Sequence, residues 1–403
     1  MSIFRSPNNI RIALTGGGTG GHIFPLIAIL RELRNLAQKN QINLDIRYIG
    51  PNDFAANYMA KEGLITKNIF SGKFRRSFNP KDLFNDFIDI FKIIAGFFQS
   101  LWQMLVYMPD LIISKGGYGS VPVMMAGTFY AIPKAIHESD SIPGLANTVF
   151  AKFARRIFVA FEKSKDYFPK NRTVVVGNPI RPELLKGDKL KSRQYLQLNS
   201  DRPIVLVLGG SQGAKSINDI LLDILPDLVE RTEVIHQTGI YNFSEVEGEV
   251  KVIFQEIIKN DEFKKYYHPV AFLEEKTNEP LKSLKDVMWA ADLIVSRAGS
   301  GAIFEIAALG KPSILIPLPW ASRDHQTQNA YEYAENGSAE VIESSNLTPN
   351  VFSDLIIRLA MNKDKLNEMS QKALAFSKPQ AALHIAQQVL EIILLRRHLK
   401  ISL

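Results

Sequence analysis

The 403-residue chain contains no cysteine, which excludes disulfide bridges and thiolate metal centres and favours a reducing compartment. It also lacks an uninterrupted apolar run of the ~18 residues that a membrane-spanning helix is expected to need. The nearest run, 93–108, is interrupted by Gln99 and Gln103. Residues 1–9 have no apolar core, so we expect no signal peptide.

What is present is the composition of a soluble globular protein, with 46% hydrophobic and 22% charged residues. The length predicts two domains. A formal net charge of +7 favours acidic partners such as phosphates, nucleic acid or an anionic membrane. Because the basic residues are scattered and no recognition motif occurs, we expect no nucleic-acid partner.

Strand and helix patterns alternate along the chain, which predicts parallel sheets covered by helices. The strands are predicted near 10–14, 44–49, 65–69, 111–114, 134–137, 157–159, 173–176, 204–208, 233–237, 270–273, 292–296, 313–317 and 339–342. Residues 241–269 are charged and are predicted to be an irregular excursion. The last helix, from Pro379 to about Lys400, is predicted to pack back on the first domain.

Four glycine-rich loops follow predicted strands, at 16–21, 115–119, 209–213 and 297–301. The second pair repeats the plan of the first, so we predict an α/β protein of two Rossmann-like domains. Ligands of open α/β sheets bind beyond the carboxyl ends of the strands. Two such domains facing each other would therefore line a cleft with these loops.

The first loop has the features of a phosphate cradle. Gly16, Gly18 and Gly21 lie between a strand and a helix, where backbone N–H groups face an anion. His22 stands where a Walker A loop requires lysine, and the second strand ends in Gly50 rather than in the acid of a nicotinamide site. A protonated histidine is disfavoured at a helix start. We therefore predict that His22 is a near-neutral base that faces a ligand, rather than a simple helix cap.

Three acidic residues are candidates for function. Glu138 and Asp140 follow a strand, where they would orient a hydroxyl or His22, or merely cap the next helix. Glu305 lies among small apolar residues and needs a partner. That partner is either the ribose of a nucleotide or a basic residue such as Arg297.

Amide side chains at Gln326 and Asn329 follow another strand, and amides suit a polyhydroxylated sugar. Asp324 and His325 form no ligand pair of metal-binding spacing with His22, so we expect no metal. The G-x-S-x-G motif of a serine hydrolase does not occur.

An amphipathic helix is predicted between Lys73 and Met108. Its apolar stripe consists of Phe84, Phe87, Phe91, Ile94, Phe98, Leu101 and Leu105. Ordinary core packing is the default explanation for much of that stripe. The apolar surface is widened by Ile88, Ile90, Phe97 and Trp102, and it is preceded by the basic residues Lys73, Arg75, Arg76 and Lys81. We predict that the excess surface lies on an anionic membrane.

Eight motifs extend, in order, over about four fifths of the chain. They are G-G-T-G-G-H at 17–22, K-G-G-Y-G-S at 115–120, H-E at 137–138, G-N-P-I-R at 177–181, G-G-S-Q-G at 209–213, H-Q-T-G at 236–239, R-A-G-S-G-A-I-F-E-I-A at 297–307 and D-H-Q-T-Q-N-A at 324–330. Their combination resembles the MurG family of peptidoglycan N-acetylglucosaminyltransferases, which have the GT-B architecture.

The resemblance implies inverting, metal-independent transfer of N-acetylglucosamine from UDP-N-acetylglucosamine, without a cofactor. The implied acceptor is the C4 hydroxyl of the muramyl sugar in undecaprenyl-diphosphate-N-acetylmuramyl-pentapeptide, at the cytoplasmic face of a bacterial membrane. An acceptor and membrane-binding domain would comprise residues 1–177 with a returning helix from about 378 to 403, and a donor domain would comprise 178–377.

The resemblance also implies site residues. His22 and Glu138 would be catalytic, with Asp140 as another candidate base. The donor would be bound by Thr19, Gly20, Gly21, Arg181, Ser211, Gln237, Phe272, Leu273, Ser300, Gly301, Glu305, Gln326 and Asn329. In that set Arg181 and Ser211 would contact the phosphates, and Glu305 the ribose. The backbone near Phe272 and Leu273 would contact the uracil. The acceptor would be bound by Gly18, Tyr118, His137 and Asp140, with its diphosphate on the loop at 16–22.

Two departures from the family pattern bear on these roles. Ser139 and Asp140 stand where the family often has Gln and Asn, and residues 274–280 read as an insertion. Two alternatives stay open from the sequence. One is a related transferase with another lipid or small-molecule acceptor, and the other is a non-catalytic nucleotide-sugar-binding protein.

Overall fold

The computed structural model describes residues 9–17, 20–73, 79–198, 201–210, 213–275, 277–319 and 324–397, with only the backbone described at 80 and 81. The chain divides into two compact units. The first unit comprises Met1–Ile180 and Lys378–Leu403, and the second comprises Arg181–Ser377.

The first unit is built on a seven-stranded parallel sheet. Its strands are β1 (Asn9–Thr15), β2 (Asn43–Gly50), β3 (Ile65–Asn68), β4 (Leu111–Ser114), β5 (Lys134–Glu138), β6 (Arg156–Val159) and β7 (Thr173–Val175). Its helices are α1 (Gly20–Lys39), α2 (Phe54–Lys61), α3 (Pro80–Tyr107), α4 (Val121–Phe129), α5 (Leu145–Phe150) and, from the end of the chain, α15 (Ala381–Arg396). The strand order is β3-β2-β1-β4-β5-β6-β7, so the winding direction reverses between β1 and β4.

Both faces of this sheet are buried, as expected of parallel strands covered by helices. Ile10, Ile12 and Leu14 alternate along β1 and pack with α1 and α15 on one face. The opposite face packs with α3, α4 and α5. Directly after α15, Arg397 Nη2 lies 2.7 Å from both carboxylate oxygens of Asp110, which fixes the returning helix to this unit.

The second unit repeats the plan with six parallel strands. They are β8 (Ile204–Leu208), β9 (Glu233–Gln237), β10 (Tyr267–Val270), β11 (Leu293–Ser296), β12 (Ser313–Leu315) and β13 (Ala339–Val341). The helices are α6 (Lys189–Leu196), α7 (Lys215–Asp223), α8 (Leu225–Arg231), α9 (Phe243–Val252), α10 (Leu284–Ala290), α11 (Ser300–Ala308), α12 (His325–Ala334), α13 (Pro349–Ala360) and α14 (Lys363–Phe376). The order β10-β9-β8-β11-β12-β13 reverses between β8 and β11. The predicted α/β fold of two Rossmann-like domains is therefore confirmed.

The prediction of an irregular excursion at 241–269 is wrong. The segment forms α9, a π-helical continuation at Ile253–Ile258 and then β10, which begins three residues before the predicted strand. Val246, Val250 and Phe254 recur every four residues and are buried. One apolar residue per turn was enough to dock this helix, although charged residues cover its other faces.

Core packing explains little of the predicted apolar stripe of α3. Six of its seven residues are exposed, and only Leu101 packs against the core. The buried positions are Asp89, Gly96, Ser100, Met104 and Tyr107. A Cβ built on Gly96 would lie 1.8 Å from the carbonyl oxygen of Phe70 and 3.2 Å from Pro122 Cγ at the start of α4. The small residues on the inner face of α3 allow this close approach, and most of the large apolar side chains of its first turns lie on the outer face.

The outward face of α3 is an exposed apolar surface, which we call the α3 face. It consists of Leu83, Phe84, Phe87, Ile88, Ile90, Phe91, Ile94, Phe98, Trp102, Leu105 and Val106. By length and composition alone, Asp82–Tyr107 is also apolar enough to cross a bilayer, although only 22% of its most apolar window is buried. The expectation of no such helix rested on an uninterrupted run, and two glutamines do not lower the mean hydropathy enough to exclude one.

Candidate functional site

The four glycine loops lie at the two points where the strand order reverses. Residues 16–21 follow β1 and 115–119 follow β4, which is its neighbour in the first sheet. Residues 209–213 follow β8 and 297–301 follow β11, which are likewise paired. Each unit therefore presents two adjacent glycine loops at the carboxyl edge of its sheet, where open α/β sheets bind ligands.

In the first unit the two loops pack directly on each other. Tyr48 Oη donates a hydrogen bond of 2.7 Å to the carbonyl oxygen of Gly16. A Cβ built on Gly119 would lie 2.7 Å from that same oxygen. Gly117 has a φ of +77°, and its Cβ would lie 3.1 Å from His22 Nδ1. Glycine is required here because the imidazole and a carbonyl fill the space of a side chain.

His22 is the third residue of α1, and a backbone carbonyl holds its ring. Its Nδ1 lies 2.7 Å from the carbonyl oxygen of Gly17. A carbonyl can only accept, so Nδ1 carries the proton of the neutral ring. Nε2 is then the ring nitrogen that accepts a proton, which is the tautomer that a general base requires.

Glu138 ends β5, and hydrogen bonds to both of its carboxylate oxygens hold it in place. Oε1 accepts from the backbone N–H groups of Ser139 and Asp140, at 2.8 and 3.1 Å. Oε2 accepts from the N–H of Gly144 and from Asn147 Nδ2, both at 2.9 Å. Burial and the nearby Asp140 carboxylate raise the pKa of Glu138, against the opposing effects of Lys115 and these hydrogen bonds. The residue therefore orders the loop after β5.

Beneath the first pair of loops lies a group of buried polar side chains without hydrogen-bond partners in the described part of the chain. The orphaned atoms are Thr15 Oγ1, Lys115 Nζ, His137 Nδ1 and both amide atoms of Asn178. Burial lowers the pKa of Lys115 to about 8, although Glu138 and Asp140 oppose that shift. Such groups are costly unless a ligand or water satisfies them.

His137 belongs to this group and is fully buried. Its Nε2 lies 3.0 Å from the carbonyl oxygen of Gly177, so Nε2 carries the proton. Burial and then the Lys115 charge hold the pKa of His137 well below its usual range. The ring is therefore neutral, and its Nδ1 can only accept a hydrogen bond from a donor on a ligand.

The remaining residues predicted for this unit occupy its surface. Gly20 and Gly21 are the first residues of α1, and Tyr118 and Asp140 are partly exposed. Tyr118 Oη lies 3.4 Å from Asp53 Oδ2. Burial and then this carboxylate raise the pKa of Tyr118. The predicted residues Gly18, Thr19 and Ser211 lie outside the described residues, as do Arg75 and Arg76.

In the second unit, two predicted donor residues contact each other. Arg181 Nε and Nη2 each donate to a different carboxylate oxygen of Glu305, both at 2.7 Å. Burial would lower the pKa of Arg181, but the Glu305 carboxylate raises it. The alternative partner, Arg297, instead donates to Ser216 Oγ and to two backbone carbonyls.

Helix α11, which carries Glu305, begins with Ser300 and Gly301. Ser300 Oγ is buried and has no partner within the described ranges. On α12, Asn329 is fully buried with Nδ2 3.4 Å from the carbonyl oxygen of Ala298. Gln326 Oε1 accepts from the N–H of Leu318 at 3.0 Å. A helix N-terminus with a buried hydroxyl is suited to an anion.

The predicted uracil contacts follow β10, at Phe272 and the buried Leu273. Gln237 ends the neighbouring strand β9, and its carbonyl accepts from the N–H of Gly209 at 3.2 Å. The segment after Leu273 closes on itself, because Glu274 bonds with Lys282 and Leu284 through its backbone. This closed loop contains the residues 274–280 that read as an insertion.

Sequence reasoning missed Lys115 and Asn178 as candidates. Both stand within quoted motifs, K-G-G-Y-G-S and G-N-P-I-R, but no role was expected for them. The available signal was a lysine placed directly after a fully apolar strand. Among the residues that the structure describes, no group of three or more His, Asp or Glu side chains could hold a metal ion.

Comparison with protein families finds two matches that together cover most of the chain. Residues 12–159 match the glycosyltransferase family 28 N-terminal domain, and residues 204–388 match the family 28 C-terminal domain. The two matched segments contain all four glycine loops.

Curated relatives extend over nearly the whole chain. A protein of Treponema denticola is 34% identical over 392 residues, which cover 93% of this chain and 96% of that protein. A protein of Clostridium perfringens is 35% identical over 362 residues, which cover 89% and 93%. Both are named UDP-N-acetylglucosamine–N-acetylmuramyl-(pentapeptide) pyrophosphoryl-undecaprenol N-acetylglucosamine transferase.

A solved structure gives the same result for the fold. The crystal structure of Acinetobacter baumannii MurG is 25% identical and matches with a TM-score of 0.71, covering 95% of this chain and 99% of that one. The two Rossmann-like units thus have the GT-B fold. The chain belongs to glycosyltransferase family 28 and, within it, to the MurG family of N-acetylglucosamine transferases.

Proposed function

We propose that this chain transfers N-acetylglucosamine from UDP-N-acetylglucosamine to the C4 hydroxyl of the muramyl sugar in undecaprenyl-diphosphate-N-acetylmuramyl-pentapeptide. The transfer inverts the anomeric carbon and uses no metal ion. The names of the relatives supply the two substrates. The observation on this chain that carries the proposal is His22, whose ring is fixed by Gly17 between two packed glycine loops.

His22 is the general base of the proposed reaction. Nε2 takes the proton from the acceptor hydroxyl as that oxygen attacks the anomeric carbon from the face opposite UDP. Glu138 is a weaker candidate, because its carboxylate already accepts four hydrogen bonds. In this proposal Glu138 is a positioning residue that keeps the loop 139–144 in place.

The acceptor diphosphate binds at the loop 16–22, over the N-terminus of α1. The N–H groups of a helix start attract an anion, and the buried ammonium of Lys115 adds a positive charge beneath the loop. Tyr118 and Asp140 are partly exposed and are candidates for contacts to the muramyl sugar. Gly18 and His137 complete the proposed set.

The donor binds at the loops 209–213 and 297–301. Ser211 and the N-terminus of α11, with Ser300 and Gly301, stabilise the charge that develops on the departing UDP. Glu305 accepts from the ribose hydroxyls, Gln326 and Asn329 contact the sugar, and the uracil lies against Phe272 and Leu273. Gly20, Gly21, Thr19 and Gln237 complete the proposed donor contacts.

The α3 face places the enzyme on an anionic membrane, where its lipid acceptor is held. Five of the eleven side chains of this face are aromatic, and among them Phe98 and Trp102 are 63% and 64% exposed. Lys73 and Lys92 lie close by, because both bond with Asp89 on α3. Aromatic residues beside basic ones are typical of a surface that lies on a bilayer without crossing it.

A transfer assay tests the proposal. Radiolabelled UDP-N-acetylglucosamine is offered to the lipid-linked muramyl-pentapeptide, and label in the lipid fraction is measured. Wild type should transfer the label, and His22→Ala should lose about a hundred- to ten-thousand-fold in turnover while it still binds UDP. Donor binding without transfer by the wild type would favour a nucleotide-sugar-binding protein, and normal turnover in His22→Ala would assign the base elsewhere.

A further inference from the structure

Arg181 and Glu305 form a bidentate ion pair, which the resemblance to the MurG family does not imply. Two guanidinium nitrogens donate to two carboxylate oxygens, both at 2.7 Å, and the side chains are only 18% and 12% exposed. The two residues are 124 positions apart in sequence. Both were expected to bind the donor, but at different groups: Arg181 at the phosphates and Glu305 at the ribose.

Each partner of this ion pair projects from a fixed backbone. Arg181 directly precedes Pro182, and its carbonyl oxygen accepts from the N–H of Leu184. The carbonyl of Leu184 in turn accepts from Trp289 Nε1 at 2.7 Å, which anchors the segment to α10. Glu305 lies on α11, five residues after its first residue. The pair therefore fixes the Glu305 side chain from a support outside its own helix.

A bidentate ion pair of this kind determines the plane of the carboxylate. An arginine that binds side-on through Nε and one Nη is coplanar with its partner, and each carboxylate oxygen retains a lone pair for another donor. Two adjacent ribose hydroxyls can supply those two donors. The pair commits two of the five guanidinium N–H donors to Glu305, and a phosphate that took over those two donors would leave a largely buried carboxylate without its partner.

We propose that Arg181 is a positioning residue for the donor, which orients Glu305 to receive both ribose hydroxyls rather than binding the diphosphate itself. The proposal rests on the proposed function, because it takes the ribose of UDP as the ligand of Glu305. It assigns to Arg181 the selection of ribonucleotides over nucleotides without ribose hydroxyls. Glu305 is the group that touches the ligand, and Arg181 acts through it.

Two nucleotides with the same diphosphate separate the two roles of Arg181. UDP and 2′,3′-dideoxy-UDP differ only in the ribose hydroxyls. The dissociation constant of dideoxy-UDP divided by that of UDP therefore measures how much the contact between Glu305 and these hydroxyls contributes to affinity. Hydrogen bonds to a charged group predict a wild-type ratio of about tenfold to a hundredfold. Calorimetry on the full chain measures the ratio for wild type, Glu305→Ala, Arg181→Ala and Arg181→Lys.

The ratio should fall toward one in Arg181→Ala, as in Glu305→Ala, while the affinity for dideoxy-UDP changes little. Arg181→Lys keeps the positive charge but cannot form the bidentate pair, so its ratio should lie between those of Arg181→Ala and the wild type. It also serves if Arg181→Ala does not fold, which a thermal melt reports. Arg202→Lys is the matched control, because that arginine of the same unit donates to the carbonyl oxygen of Val229 instead and should keep the wild-type ratio.

Two results would overturn the proposal, and a third would contradict the proposed function. If the Arg181 variants weaken both nucleotides by the same factor and keep the wild-type ratio, Arg181 acts on the phosphates and the proposal is overturned. A wild type without ribose discrimination also overturns it, even when sugar transfer is intact. A wild type that neither binds UDP nor transfers sugar contradicts the proposed function itself, which is a distinguishable result.

Discussion

Gly117 leaves free the space that the His22 ring occupies. Gly117 has a φ of +77°, and a Cβ there would lie 3.0 Å from the carbonyl oxygen of Gly17 and 3.1 Å from His22 Nδ1. Gly117→Ala should therefore displace the imidazole and lower turnover by about tenfold or more, because small misplacements of a catalytic group are costly. UDP affinity, measured by calorimetry, should be unchanged.

Gly63→Ala is the matched control for this substitution. Gly63 has nearly the same φ, +76°, but nothing lies within 4 Å of a Cβ built there. It therefore carries the same backbone strain without contact to the site. If both variants lose turnover equally, the loss comes from backbone strain rather than from the His22 ring.

The buried Lys115 should make stability depend on pH. Burial lowers the pKa of Lys115 in the folded chain to about 8, below the ordinary lysine value of 10.5. Between these values the unfolded chain binds more protons, so stability rises with pH across the window from about 8 to 10.5. Below that window, the folded chain bears the full cost of charging a buried amine.

Lys115→Met removes that cost, and it should raise the free energy of unfolding at pH 7 by an amount on the order of 3 kcal/mol. The increase should shrink as pH rises toward 10.5. Urea titrations at several pH values measure it, with the exposed Lys39→Met as control. An unchanged pH dependence in Lys115→Met would show that the ammonium is satisfied in the folded protein.

Sequence reasoning identified residue types better than residue partners. A glycine-rich turn before a helix identified His22, and an acid among small apolar residues identified Glu305 as needing a partner. The partners predicted for Glu305 are a ribose or a basic residue such as Arg297, whereas the basic residue that contacts it in the structure is Arg181. A contact between residues 124 positions apart depends on how the loops fold, which local pattern does not encode.

The α3 face is the surface of the protein that we predict to bind a membrane. Phe84 and Phe98 are about as exposed as each other and lie on this face. The double substitution Phe84→Ser/Phe98→Ser should weaken binding to anionic vesicles by about tenfold or more, since two aromatic side chains no longer enter the interface. Co-sedimentation with vesicles at low and high salt measures the effect.

The substitution Leu190→Ser is the control, because Leu190 is an equally exposed apolar residue on α6 of the second unit. It should leave vesicle binding at the wild-type level. Unfolding curves of all variants should be nearly unchanged, because the replaced side chains are exposed. Wild-type co-sedimentation of the double variant would mean that another surface contacts the membrane.

Elements were predicted well where a repeating pattern sufficed. Alternating or continuous apolar runs located the strands of both sheets, apart from the three-residue shift at β10. The faces of α3 were not predictable from periodicity, because a small-residue contact at Gly96 decided which side is buried. Helix α9 was missed because its apolar residues are few, one per turn, among charged neighbours.

The repeated plan of strand, glycine loop and helix in the two units is visible in the sequence. Glycine loops after β1, β4, β8 and β11 predicted two similar units, and both sheets have that order. The repetition gives each unit a pair of glycine loops at one sheet edge, and in the proposed function each of these edges binds one diphosphate substrate. How each edge holds its substrate depends on side-chain partners, such as Arg181 for Glu305, that the repeat does not specify.

The anomeric configuration of the product tests the proposed inverting, metal-independent transfer. The full chain is incubated with UDP-N-acetylglucosamine, which carries an α-linked sugar, and with the lipid-linked muramyl-pentapeptide in the presence of a metal chelator. The anomeric configuration of the product is then read by NMR. A base that attacks opposite the departing UDP predicts a β-linkage to the muramyl C4 oxygen, formed at an undiminished rate in chelator. An α-linked product, or transfer that stops when the metal is removed, would contradict the account.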